Sequence, residues 1–174
     1  MTDLDLVLDF VNSAELEAGS DELQDARGLV RWLAGHRLSG AHARARETDA
    51  ADARAVREAL RELLRANNGV VVDEAAAAAT LDAAARRAGL AVRFDTGAIR
   101  LVPGERGVQG ALGNILAAAA EAMADGSWQR LKACRSDSCR WAFVDNARNH
   151  SRQWCSMSVC GNREKARLFR QRHA

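Results

Sequence analysis

The chain has 174 residues, which predicts one or two domains. Its 25 Lys+Arg and 23 Asp+Glu leave a net charge of +2, a balance that over the whole chain argues against a nucleic-acid or membrane-surface protein. A hydrophobic share of 48% excludes a disordered chain, and no segment reaches the roughly 18 consecutive apolar residues of a membrane span. The acidic opening Met1-Thr2-Asp3-Leu4-Asp5-Leu6 lacks the basic region of a signal peptide, so a cytoplasmic protein with reduced thiols is expected. The 36 Ala inflate the hydrophobic share, because Ala buries little area, while the single Pro, four Phe, four Trp and absent Tyr favour helix. Arg outnumbers Lys 23 to 2, which beside so much Ala reads as coding bias rather than phosphate recognition.

The first 126 residues hold no cysteine. Asp3 to Asn12 carries Leu4, Leu6, Val7, Leu8, Phe10 and Val11, too dense an apolar run for a surface helix, and reads as a buried strand or a short helix. Ser20 is placed to cap a helix in which Leu23, Ala26, Val30 and Leu33 recur at helical spacing, ended by Gly35 or Gly40. Asp49 to Asn67 repeats the pattern, with Ala53, Val56, Leu60 and Leu63 inward and Arg54, Arg57, Glu58, Arg61 and Glu62 outward. Glu58–Arg61 and Glu62–Arg65 form i,i+3 pairs, and Asn67-Asn68-Gly69 stops the helix. Val70 to Val72 predicts a short strand, and Asp73 caps an Ala-rich helix that ends at Gly89. Leu90 to Asp95 and Ala98 to Val102 flank Asp95-Thr96-Gly97 as a hairpin. A further helix from Gly107 to Asp125 buries Val108, Leu112, Ile115, Ala119 and Ala122. Gly104, Gly107, Gly110 and Gly113 match no phosphate-binding fingerprint and predict close backbone packing at that helix start. Asp125-Gly126-Ser127 is the expected domain boundary.

Residues 127–174 differ in kind. They hold 11 Lys+Arg against Asp137, Asp145 and Glu164, a charge of +8, while residues 1–126, with 14 basic and 20 acidic, carry −6. All four cysteines lie here, as Cys134-x4-Cys139-x15-Cys155-x4-Cys160. Two short Cys loops separated by a returning segment suit a tetrahedral Zn²⁺, and reduced compartments disfavour disulfides. Four thiolates close the site, so one structural zinc is expected, contributing roughly 10–16 kcal/mol that so small a segment cannot draw from a core. Leu131 to Ala133 and Arg140 to Asp145 predict a hairpin between the loops. The unbroken run Gly161 to Arg172 predicts a helix whose first turn holds the last ligands, the layout of a treble clef. The expected fold class is therefore α+β: a mostly helical N-terminal domain (1–126) with a small antiparallel sheet, followed by a treble-clef zinc finger (127–174).

The run Cys155-Ser156-Met157-Ser158-Val159-Cys160-Gly161-Asn162-Arg163 resembles the signature of the CGNR zinc-finger family. The flanks agree: Phe143-Val144-Asp145, Arg148-Asn149, Ser151-Arg152-Gln153-Trp154, Lys165-Ala166-Arg167 and Arg170. Asp5-Leu6-Val7-Leu8-Asp9-Phe10-Val11-Asn12-Ser13 resembles the opening motif of the ABATE domain that usually precedes this finger. The resemblance implies a stress-induced transcription regulator whose treble clef binds DNA, with Cys134, Cys139, Cys155 and Cys160 as zinc ligands.

Charge supplies a separate argument for nucleic acid. On a helix from Gly161, Arg163, Arg167 and Arg170 line one face, with Lys165 and Arg172 on another side, and Ala166, Leu168 and Phe169 as an apolar side to pack on the hairpin. Arg148, Arg152 and Gln153 extend the basic surface. Guanidinium groups so placed suit phosphates and guanine edges. The opposing reading docks the basic finger on the acidic domain. DNA is the expected partner, with RNA and a protein-interaction module as alternatives, no membrane, and no enzyme, since no nucleophile–base pair is evident. One small finger offers about 600–1,000 Å² of interface, so a homodimer or the transcription machinery is expected to supply the rest. A small-molecule ligand of the N-terminal domain has no signature in the sequence.

Overall fold

Apolar residues at positions 4, 6, 7, 8, 10 and 11 wind into a first helix, α1 (Asp3–Val11), with Val7, Phe10 and Val11 fully buried. The computed structural model describes residues 3–39 and 44–173; Gly40, one of the two expected helix stops, lies outside them. A two-residue ribbon follows, β1 (Ala14–Glu15) antiparallel to β2 (Ser20–Asp21). Ser20 sits in that ribbon and caps nothing. The cap falls five residues later, where Asp25 accepts from Gly28 N at 2.7 Å and opens α2 (Ala26–Gly35). The later start turns Leu29 inward in place of Val30, while Leu23 reaches the core from the loop.

Helix α3 (Glu47–Asn67) is the central element, and α4 (Glu74–Arg87) packs beside it, capped by Asp73. Val70 to Val72 forms no strand. The expected hairpin forms, β3 (Ala91–Asp95) antiparallel to β4 (Ala98–Val102) with Asp95 opposite Ala98, and α5 (Gly107–Asp125) buries all five expected residues. Gly113 lets the helix meet its neighbours, because a Cβ there would lie 2.7 Å from Pro103 Cβ and 2.9 Å from Ala88 Cβ. Gly126, in the left-handed conformation at φ 82°, ends α5. After a 3-10 turn at Ser127–Arg130, β5 (Leu131–Ala133) pairs with β6 (Ala142–Val144), and α6 (Asn162–Arg172) closes the chain.

The core does not stop at residue 126. Trp128, Leu131, Ala133 and Ala142 pack in one cluster with Phe10, Leu60 and Leu112. Among the described residues no helix is long and apolar enough to cross a membrane.

The arginines of α3 depart furthest from expectation. Arg57 is buried and Arg61 fully so, rather than facing outward. Apolar periodicity assigns them to solvent, but carbonyls and carboxylates from other segments converge on them, and full pairing makes burial of a guanidinium tolerable. Arg57 clamps Asp21 at 2.6 and 2.9 Å and also donates to Glu58. Arg61 donates to Val11 O at 2.7 Å, to Arg140 O at 3.1 Å and to Glu58 at 2.9 Å. Arg54 donates to Leu23 O and Gln24 O. The expected Glu58–Arg61 and Glu62–Arg65 pairs form as well.

Burial pushes the Asp21 carboxyl up, but the Arg57 clamp, the Leu23 N–H and the Arg57 charge outweigh it and hold the group below its ordinary 3.8. A carboxyl depressed on folding adds stability above its unfolded pKa, and that stability is lost as pH falls through the folded value. Asp21→Asn therefore lowers stability at pH 7 and flattens the acid limb of a urea-denaturation series below about pH 4. Arg61→Leu strands the Val11 and Arg140 carbonyls and costs about 2–4 kcal/mol in the same measurement; a loss well under about 1 kcal/mol would contradict the role assigned to Arg61.

Candidate metal centre and basic helix

Strand β5 runs directly into Cys134, whose N–H donates to Trp141 O at 2.9 Å and extends the hairpin by one rung. The first Cys loop closes on Ser136 O, which accepts from both Cys139 N and Arg140 N at 3.0 Å. Arg140 then takes a left-handed φ of 50° and turns the chain into β6. The second loop is a wide turn at Met157–Gly161. Ser156 accepts from Val159 N through its side chain and from Gly161 N through its carbonyl. A Cβ on Gly161 would lie 2.5 Å from Met157 Sδ and 3.3 Å from the Trp154 ring, so glycine leaves room for both.

The segment between the loops hangs on one buried ion pair. Lys132 Nζ donates to Asp145 Oδ2 at 2.7 Å, and Asp145 also accepts from Ala147 N and Arg152 N at 3.0 Å. Burial raises the Asp145 carboxyl, but Lys132 and the two N–H donors more than offset it, so it lies below its ordinary 3.8. Lys132 also donates to His150 O, which returns the loop to the hairpin. The signal in the sequence for this pair is Lys132, one of only two lysines, standing between apolar Leu131 and Ala133.

These elements bring the four cysteine sulfurs within 4.8 Å of one another. Cys139 and Cys155 stand 3.6 Å apart, and Cys155 and Cys160 3.7 Å. Both separations far exceed an S–S bond of about 2.05 Å, and all four thiols are free. A tetrahedron with Zn–S bonds of about 2.3 Å has edges of about 3.8 Å, so the donor set fits one zinc ion with no position open for water. Burial pushes the Cys155 thiol far up, with Cys139 and Cys134 adding to it. Burial likewise carries Cys160 to about 12. Bare thiols crowded in this way hold their protons, so a divalent cation must displace them on binding.

The basic residues separate into two groups. Arg148, Lys165, Arg170 and Arg172 are exposed, with no ion pair among the described residues. The other three have partners within the chain. Arg152 donates to Trp154 O and Cys155 O and stacks 4.5 Å over the Phe143 ring. Arg163 pairs with Glu17 at 2.7 Å and Arg167 with Glu164 at 2.6 Å. Burial of the apolar side of α6 against the hairpin does not occur: no residue of α6 is buried, and Phe169 instead stacks on His173 at 4.2 Å. The helix follows directly from the turn that carries Cys160, and Arg163 in its first turn pairs with Glu17. Between it and the first Cys loop runs a groove of about 900 Å³, lined by Arg135, Trp154, Arg163, Arg167 and Arg170 among others.

Metal analysis of the purified protein is expected to find one zinc per chain. Cys160→Ser, which removes a buried ligand, is expected to lower that content well below one and to abolish the ordered α6 signal in hydrogen exchange.

Two family matches cover the chain. Residues 4–126 match ABATE, described as "Putative stress-induced transcription regulator", and residues 130–173 match the CGNR zinc finger. No curated protein matches the chain. With most of its length inside the first match and its four cysteines inside the second, the chain belongs to the ABATE family and carries a CGNR zinc finger at its C-terminal end.

Proposed function

We propose that this chain is a cytoplasmic DNA-binding transcription regulator that contacts duplex DNA through its zinc finger. One observation carries the reading: α6 buries none of its residues, yet it presents Arg163, Lys165, Arg167, Arg170 and Arg172 against a single acidic residue, Glu164. An ordered helix with no buried residue owes its place to the metal-anchored turn before it and to the Arg163–Glu17 pair, and a row of cations on it matches the footprint of phosphate binding. Arg148, on the loop between the two cysteine pairs, extends that footprint, while Arg167 and Arg152 pair within the finger and Arg163 pairs with Glu17 of the N-terminal part, so these three enter contacts only by exchanging partners. The zinc is structural, so the finger positions side chains and performs no catalysis. Residues 1–126 form the unit that senses a ligand or mediates assembly. Their net charge of −6 keeps them off the phosphates and leaves the last 48 residues, at +8, to make the contact.

Titration of the zinc-loaded protein against mixed duplex DNA and against structured and single-stranded RNA, each at two salt concentrations, tests this. Duplex DNA is expected to bind more tightly, with affinity falling steeply as salt rises. Lys165→Ala with Arg170→Ala is expected to lower affinity for all sequences and to reduce the salt slope by about 2, at unchanged zinc content. Preference for RNA, or no binding at low salt, would sink the proposal in favour of an RNA-binding or protein-interaction module.

A further inference from the structure

The hairpin β3–β4 has a face that the described residues leave largely uncovered. Val92 stands opposite Leu101 and Phe94 opposite Ile99, so the alternation of the strands places all four on one side. Val92 is 51% exposed, Ile99 68% and Phe94 83%. The other side sets Arg93 directly against Arg100. The hairpin is fixed at its base: Gly104 N donates to Ala88 O and Gly89 O, and Pro103 abuts α5 at Gly113. The apolar face is therefore held out in a defined position. A two-stranded ribbon is marginal in water by itself, and an apolar patch of roughly 350 Å² is of the size that marks an interaction site.

We propose that this face is a self-association surface, through which two copies pack hairpin on hairpin in a two-fold dimer. A two-fold contact sets a patch against itself, so the patch must tolerate its own copy. Val92, Phe94, Ile99 and Leu101 carry no charge and meet their counterparts without repulsion, whereas the Arg93–Arg100 side would oppose four guanidinium groups. Two such patches bury roughly 700 Å² of apolar side chain. At the apolar share of about 65% found in homodimer interfaces, the whole contact covers about 1,100 Å², the lower end of what a specific dimer needs. Contacts of this size belong to the weak, reversible class, and dissociation in the micromolar range is the expected outcome. It lies outside the finger and stands whether or not α6 binds DNA.

Sedimentation velocity on the full zinc-loaded chain, from about 1 to 200 µM, decides the matter. The expected result is a shift with concentration from 18.8 kDa toward twice that mass. Phe94→Asp and Ile99→Lys are each expected to weaken the dimer by about tenfold or more, with zinc content and circular dichroism unchanged. An equimolar mixture of Phe94→Asp and Phe94→Lys is expected to dimerise more tightly than either variant alone. A wild-type chain that stays monomeric throughout, or a dimer indifferent to both single substitutions, overturns the proposal. The first result would leave the face to a different protein partner.

Discussion

One guanidinium group, that of Arg61, ties together segments that lie far apart in the chain. It is fully buried between the end of α1 and the first Cys loop, and its donors reach Val11 O and Arg140 O. Neighbouring asparagines work in the same manner. Asn12 Nδ2 donates to Ala142 O while Asn12 Oδ1 accepts from Ala142 N, so the side chain acts as one more strand rung for β6. Asn67 donates to Trp128 O and Leu131 O, and Asn68 to Ala133 O and Gln153 O. Each of these groups would be expensive to bury alone, and together they satisfy one another. The seam between the acidic and basic parts of the chain is thus a hydrogen-bonded joint laid over a continuous apolar core. Ion pairs such as Arg65–Asp137 and Arg163–Glu17 lie at its edge.

Support passes outward from that joint. It fixes β5 and β6, the hairpin fixes Cys134, and the Lys132–Asp145 pair returns the intervening loop so that the second cysteine pair meets the first. Only then does α6 have an anchor. The order explains how a helix with no buried residue holds a definite place, and it makes the cation display on α6 the last consequence of contacts made near α3.

Local chemistry was the legible part. The cysteine spacing announced the metal cluster, because two short loops and a returning segment leave few other geometries. The turn Asp95-Thr96-Gly97 announced its hairpin, and the Asn67-Asn68-Gly69 stop fell where expected. The burial of Arg57 and Arg61 was not legible, because periodicity sorts residues by polarity and cannot see carbonyls arriving from residues 11 and 140. Their placement at i,i+4 beside Glu58 was the available hint. Ser20 and Asp25 were equally good caps by type, and the choice between them fell to the β1–β2 ribbon, whose pairing claims Ser20. Leu168 and Phe169 read as a packing side because apolar residues on a helix usually are one. Here the cysteine cluster stands at the start of the helix, and no residue of α6 is buried.

The continuity of the core across Gly126 bears on how the finger could be inherited or transplanted. Trp128, Leu131, Ala133 and Ala142 are finger residues by position and core residues by packing. Cut away from α1, α3 and α5, they would become exposed apolar surface, and the carbonyls now served by Asn67 and Asn68 would lose their donors. A zinc finger that keeps its first strand inside another domain's interior is not a cassette. Recombination can exchange what the second cysteine pair and α6 present to a partner, but the first pair travels only with the fold that carries it.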